Sequence, residues 1–157
     1  MNHRNASIRT LIVDDDNAMC QLVCKILGRQ FGDDLAITGT NDADMAMGLS
    51  HSGQFELCVT DLNMPSANGF KILKLLKKAD PLTQVIMLTA HPEENAIKSA
   101  FSMGAADYMI KPVHAIELCS CIEFMIARIR RFRSEILRYE TPAIREVHTA
   151  APRLEAT

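Results

Sequence analysis

Four apolar runs in this 157-residue chain lead directly into reactive polar side chains. Leu11-Ile12-Val13 runs into Asp14-Asp15-Asp16, and Leu57-Cys58-Val59-Thr60 into Asp61. Val85-Ile86-Met87-Leu88 runs into Thr89, and Ala106 to Ile110 is followed by Lys111. Carboxylates held together repel one another, and a hard divalent cation such as Mg²⁺ offsets that charge through oxygen ligands. An ammonium and a hydroxyl beside such a cation make a receptor for a phosphoryl group. The positive charges neutralise phosphoryl oxygens and the hydroxyl hydrogen-bonds to one. No Ser, Cys or His stands at these run ends in a triad-like arrangement. The carboxylate of Asp61 is therefore the candidate nucleophile, through an aspartyl phosphate.

Such side chains meet only if the apolar runs are strands of one parallel sheet ending on a common edge. The chain predicts that arrangement. Short apolar, β-branched runs at 9–13, 35–38, 55–60, 85–88 and 106–110 alternate with stretches of helical period. Met19, Leu22, Val23, Ile26 and Leu27 mark the first helix, capped by Asp16 or Asn17 and ending around Gly28 to Gly32. Gly39 to Asp42 reads as turn and cap before a short helix from Ala43 to Leu49. The loop Met64 to Gly69 leads into a helix with Phe70, Ile72, Leu73, Leu75 and Leu76, which stops at Asp80-Pro81. A fourth helix is expected near Glu93 to Met103, and a fifth begins near Val113. Five strand–helix alternations give an α/β doubly wound parallel sheet with right-handed crossovers. Ligands of such sheets bind at the carboxyl ends of the strands. Taken singly, each residue also has a plainer reading. The aspartates could cap a helix, Thr89 could be a cap, Tyr108 could belong to the core, and Lys111 could be a solvated lysine.

In sequence order, Leu11-Ile12-Val13-Asp14-Asp15, Asp61-Leu62-Asn63-Met64-Pro65 with Gly69, Leu88-Thr89-Ala90, and Gly104-Ala105-Ala106-Asp107-Tyr108 with Lys111-Pro112 resemble the receiver domain of two-component response regulators. The resemblance covers about residues 8–126. It implies the flavodoxin-like (βα)5 fold with strand order 2-1-3-4-5. It also implies that Asp61 accepts a phosphoryl group from a sensor histidine kinase or histidine phosphotransfer protein. Asp15, Asp61 and the backbone carbonyl of Asn63 would hold Mg²⁺, with Asp14 alongside. Lys111 would pair with the phosphoryl group, Thr89 would swing its hydroxyl toward it, and Tyr108 would move inward. The Lys111–Pro112 bond would be cis. On this reading the chain is a signalling receiver that catalyses only its own phosphorylation and dephosphorylation, in the cytoplasm. His91, two positions past Thr89, reads either as a group tuning phosphate lifetime or as an exposed loop histidine. Two alternatives differ in class. An Asp-nucleophile phosphatase of the haloacid dehalogenase type would carry a second Asp where Asn63 stands. A receiver-shaped interaction module would not need the intact Asp61, Thr89 and Lys111.

The last helix exceeds what a receiver needs. Neither Gly nor Pro occurs from Val113 until Pro142, and Leu118, Ile122, Met125, Ile129, Phe132, Ile136 and Tyr139 are spaced alternately four and three apart. That is a heptad seam, and it predicts a helical extension over 127–140 that packs in a homodimer or docks back on the domain. Arg128, Arg130, Arg131, Arg133 and Arg138 make it basic, yet Glu123, Glu135 and Glu140 dilute the charge, so it reads as a solvated flank. No direct nucleic-acid binding is expected, and the formal net charge of -2 exerts no global pull toward it. Residues 1–7 and 141–157 read as a disordered N-terminus and a tail or linker stub. No apolar stretch is long enough for membrane insertion. The five cysteines show no metal-site spacing and read as small buried hydrophobes.

Overall fold

The computed structural model of the chain describes residues 6–65 and 68–140. Its elements are β1 (Ile8–Val13), α1 (Asn17–Phe31), a 3-10 turn (Gly32–Asp34), β2 (Leu35–Thr40), α2 (Ala43–Ser50), β3 (Leu57–Asp61), α3 (Gly69–Ala79), β4 (Gln84–Thr89), α4 (Glu94–Ser102), β5 (Asp107–Ile110) and α5 (Ala115–Glu140). The five strands form one sheet in the order β2-β1-β3-β4-β5, every pairing parallel. This is the flavodoxin-like doubly wound arrangement. The apolar runs carry little polar alternation because both faces of the sheet are covered.

Successive residues point to opposite faces. Ile12, Val59, Ile86 and Leu88 join α1 and α5 in one apolar layer, through Cys20, Val23, Leu27, Leu118 and Ile122. Leu11, Val13, Cys58, Val85 and Met87 join α2, α3 and α4 in the other, through Ala46, Ile72, Leu73, Leu76 and Ala100. Three of the helices begin where a side-chain oxygen satisfies free backbone N–H groups. Asp16 caps α1, Asp42 caps α2 and Asn68 caps α3.

One expectation needs correction. Gly39 and Thr40 belong to β2, not to a turn. The strand runs close under α1 there: a Cβ on Gly39 would lie 2.7 Å from the Cys24 sulfur, which would have to turn aside. The heptad seam of α5 is shared between the sheet and the outside. Leu118, Ile122, Met125 and Ile129 are buried against the sheet, which leaves the partly buried Phe132 and the exposed Ile136 and Tyr139 for any partner.

The boundary expected after residue 126 falls inside the continuous α5. Beyond it the helix remains fastened to the domain. Arg130 pairs with Asp34, and Arg133 makes a two-pronged bond to Glu56 at 2.7 Å for each nitrogen. Arg133 also donates to the carbonyls of Ala6 and Ser7. Three of the five arginines read as solvated are ion-paired, the third being Arg138 with Glu135 one turn back along the helix. Burial works to raise the Glu56 carboxyl, but Arg133 and Arg9 outweigh it and hold it below the usual carboxylate range. The expected tail at 141–157 and residues 1–5 lie outside the described residues.

Candidate phosphoacceptor and metal site

The sheet register sets the site. Val13 pairs with Thr60, Asp61 with Leu88, and Thr89 with Ile110. The ladder continues just past the strand ends, where Asp14 N–H donates to Thr40 at 3.3 Å, Leu62 N–H to Leu88 at 2.7 Å and Lys111 N–H to Thr89 at 2.7 Å. Asp14, Asp61, Thr89 and Lys111 therefore emerge side by side on the carboxyl edge. The Lys111–Pro112 bond is cis.

Lys111 Nζ lies 2.7 Å from Asp14 Oδ2 and 3.2 Å from Asp61 Oδ2. Oxygens of Asp14, Asp15 and Asp61 all fall within 4.8 Å of one another. Asp14 and Asp61 are buried and Asp15 is exposed. Asp16 stands apart from this group, because its carboxylate is spent on Ala18 and Met19 N–H at the start of α1. The acidic pair is thus Asp14 and Asp15.

Three carboxylates face one ammonium, so negative charge is in excess. Burial pushes the Asp61 carboxyl above its ordinary value, Asp14 adds to the push, and Lys111 offsets only part of it. Burial would depress Lys111, yet its bonds to Asp14 and Asp61 raise it instead, which keeps it an ammonium. An oxygen-only donor set with uncompensated charge fits a hard cation such as Mg²⁺. Asp14, Asp15 and Asp61 could hold it, together with the backbone carbonyl of Asn63.

The two described ends of the β3–α3 connection are tied together beside Asp61. Asn63 N–H donates to Asp61 Oδ1 at 3.3 Å, Gly69 N–H donates to the Leu62 carbonyl at 2.9 Å, and Asn63 and Asn68 form an isolated bridge. Thr89 is fully buried. Its hydroxyl accepts from Asn63 Nδ2 at 3.2 Å and from His91 N–H at 3.1 Å, and donates to the His91 carbonyl at 3.2 Å. His91 is exposed and touches Thr89 through its backbone. The Asn63 side chain was not singled out in the sequence for this contact; a carboxamide two residues past Asp61 is its only signal.

Tyr108 packs against the α2–α3–α4 layer, with its hydroxyl buried and without a hydrogen-bond partner. The residue as a whole is half-buried. An unpartnered buried hydroxyl carries a desolvation cost. Tyr108→Phe should raise stability by about 1 kcal/mol in urea denaturation; a loss would show that the hydroxyl finds a partner.

Among the described residues, no helix is long and apolar enough to cross a membrane. All five cysteines are free, and burial raises the Cys20 thiol to about 11 and that of Cys121 to about 12.

A family model described as the response regulator receiver domain matches residues 10–123. The chain is 33% identical over 127 residues to the chemotaxis protein CheY of Pseudomonas aeruginosa, covering 78% of this chain and 98% of that protein. It is 31% identical over 133 residues to the transcriptional regulatory protein CiaR of Streptococcus pneumoniae, covering 84% of this chain and 57% of that one. To the two-component response regulator ARR10 of Arabidopsis thaliana it is 31% identical over 134 residues, covering 82% of this chain and 23% of that one. The chain thus spans less than two thirds of the last two relatives. Among solved structures, a CheY-like response regulator receiver domain protein from Methanospirillum hungatei JF-1 superposes with a TM-score of 0.72 at 26% identity, covering 80% of this chain and 98% of that one.

Proposed function

Because the chain belongs to the response regulator receiver family of two-component signalling, we propose that it is a phosphorylation-dependent switch whose phosphoacceptor is Asp61. The observation that carries this reading is the Lys111 ammonium bridging Asp14 and Asp61 beside a third carboxylate. The donor is a phosphohistidine of a sensor histidine kinase or histidine phosphotransfer protein.

An Asp61 oxygen attacks phosphorus in line with the departing imidazole. The new P–O bond forms as the P–N bond breaks, and the imidazole leaves with the electron pair and takes up a proton. Asp61 must be ionised to attack, so the neighbours that raise its proton affinity also make it a better nucleophile once the proton is gone. Lys111 pairs with the phosphoryl oxygens, and the Thr89 hydroxyl, once free of its present acceptor, donates to one of them. Asp14, Asp15, Asp61 and the Asn63 carbonyl would hold Mg²⁺, which would supply further charge neutralisation at the phosphoryl oxygens. Water later attacks phosphorus, and inorganic phosphate leaves Asp61. The chain acts on itself alone, as a cytoplasmic signalling component.

Incubation with Mg²⁺ and acetyl phosphate, followed by intact mass, tests the reading. One phosphoryl group should appear on the wild type and be lost with chelator. No addition to the wild type would sink it.

The end of α5 supports a proposal about output. Phe132, Ile136 and Tyr139 continue the heptad period past the last position buried in the domain. They form a homodimer contact, or pass the signal to a partner or an output domain. Direct nucleic-acid binding by this chain is not expected. Solution molar mass should show a dimer that Phe132→Glu disperses, with or without beryllofluoride; a monomer in every case contradicts the homodimer.

A further inference from the structure

The Thr89 hydroxyl has one hydrogen and two lone pairs. All three are committed. Its hydrogen goes to the His91 carbonyl, and its lone pairs accept from His91 N–H and from Asn63 Nδ2. With the hydrogen given to His91, the Asn63 carboxamide must present its NH₂ group, so the donor direction of this contact is fixed by valence. A phosphoryl oxygen on Asp61 needs the same hydroxyl hydrogen. Thr89 can supply it only by leaving its bond to the His91 carbonyl, and turning the side chain also gives up the bond from Asn63.

Asn63 is well placed to set that cost. Its backbone is pinned by the bond from its N–H to Asp61 Oδ1 and by the bridge to Asn68. Its side chain leaves this frame to reach a residue 26 positions further along. A residue two past the end of β3 is thereby joined to the last residue of the neighbouring strand β4. Asn63 is exposed, so its side chain can be shortened without opening the core.

We infer that the Asn63 side chain is a latch that holds the Thr89 hydroxyl in its loop-facing state and so sets the threshold for switching. The inference rests on the reading of Asp61 as phosphoacceptor. The latch acts only before phosphorylation. A ligand that requires the turned hydroxyl binds with an affinity reduced by the fraction of molecules already turned. Releasing the latch raises that fraction. Asn63 is therefore a positioning residue, working through Thr89.

The test is beryllofluoride affinity in saturating Mg²⁺, measured for wild type, Asn63→Ala, Thr89→Ala and the double variant. Loss of one hydrogen bond from the resting state should tighten binding to Asn63→Ala by about threefold to tenfold. With Thr89→Ala as background there is no hydroxyl to hold, and the gain should shrink to about twofold or less. Equal or weaker binding by Asn63→Ala overturns the latch. So does a gain that persists without the Thr89 hydroxyl, since that would be a charge or access effect at the pocket. Side-chain scalar couplings of Thr89 in the ligand-free protein give an independent readout. A single rotamer in the wild type should become averaged in Asn63→Ala, and an unchanged rotamer overturns the latch. Wild type that takes no beryllofluoride would overturn the phosphoacceptor reading instead, and the rotamer comparison, which needs no ligand, would still decide the latch.

Discussion

Asp61→Asn should take up no phosphoryl group and yet be more stable than the wild type. The expected gain is about 1 kcal/mol at neutral pH without divalent cations, or roughly 2–4 °C in Tm. The cause is electrostatic. Asp61 is buried beside Asp14, and both effects raise its pKa; Lys111 lowers it only in part. A carboxyl whose folded value lies above its unfolded value is penalised when ionised. That penalty is absent below the unfolded value and fully present above the folded one. An amide of the same shape removes the penalty, and Lys111 keeps its 2.7 Å bond to Asp14. Two conditions should therefore narrow the gap between variant and wild type. One is a fall in pH through the folded value of Asp61, where the wild type sheds its charge. The other is saturating Mg²⁺, which stabilises the ionised wild type. Thermal unfolding over a pH series checks this, and a variant less stable than the wild type at every pH would refute it. Asp61, the proposed phosphoacceptor, is thus held at a cost to the fold.

Gly69→Ala should cost about 3 kcal/mol or more, by urea denaturation, and impair phosphoryl uptake by whatever remains folded. A Cβ at this position would stand 2.3 Å from the backbone oxygen of Asp61 and 2.9 Å from the Leu62 Cα. Neither is the end of a flexible side chain, so either β3 or α3 must move. The obstruction is at the backbone of Asp61 itself, and any shift displaces Asp61 relative to Asp14 and Lys111. Gly69 opens α3, and its N–H closes the loop on Leu62. It is a glycine for close approach: the start of a helix lies against the end of a strand. A stability within about 0.5 kcal/mol of wild type would contradict this account.

Much of the site was legible because parallel strands end on one edge. Asp14, Asp61, Thr89 and Lys111 each follow an apolar run, and a parallel sheet leaves them no other place to go. The choice of Asp14 and Asp15 over Asp16 came from the receiver resemblance, in which the acidic pair begins where the first apolar run stops. What escaped depends on register and on helix direction. The bond between Asn63 and Thr89 follows from the pairing of Asp61 with Leu88, which no local pattern reveals. Arg133 and Glu56 lie 77 residues apart and meet only because α5 runs to the far edge of the sheet. In α5 the apolar period was read correctly, but a period cannot say what covers it. The sheet takes the first four seam positions. Gly39 misled for a related reason: a glycine between polar residues suggests a turn, whereas here it makes room for the Cys24 sulfur.

The central claim is that Asp61 itself forms the acyl phosphate. Borohydride reduction of protein treated with Mg²⁺ and acetyl phosphate, followed by peptide sequencing, addresses it most directly, because an acyl phosphate of aspartate is reduced to homoserine. Homoserine should appear at position 61 and be absent when Mg²⁺ is chelated. Homoserine at Asp14 or Asp15, or a phosphoryl group that resists borohydride on another side chain, would contradict the account.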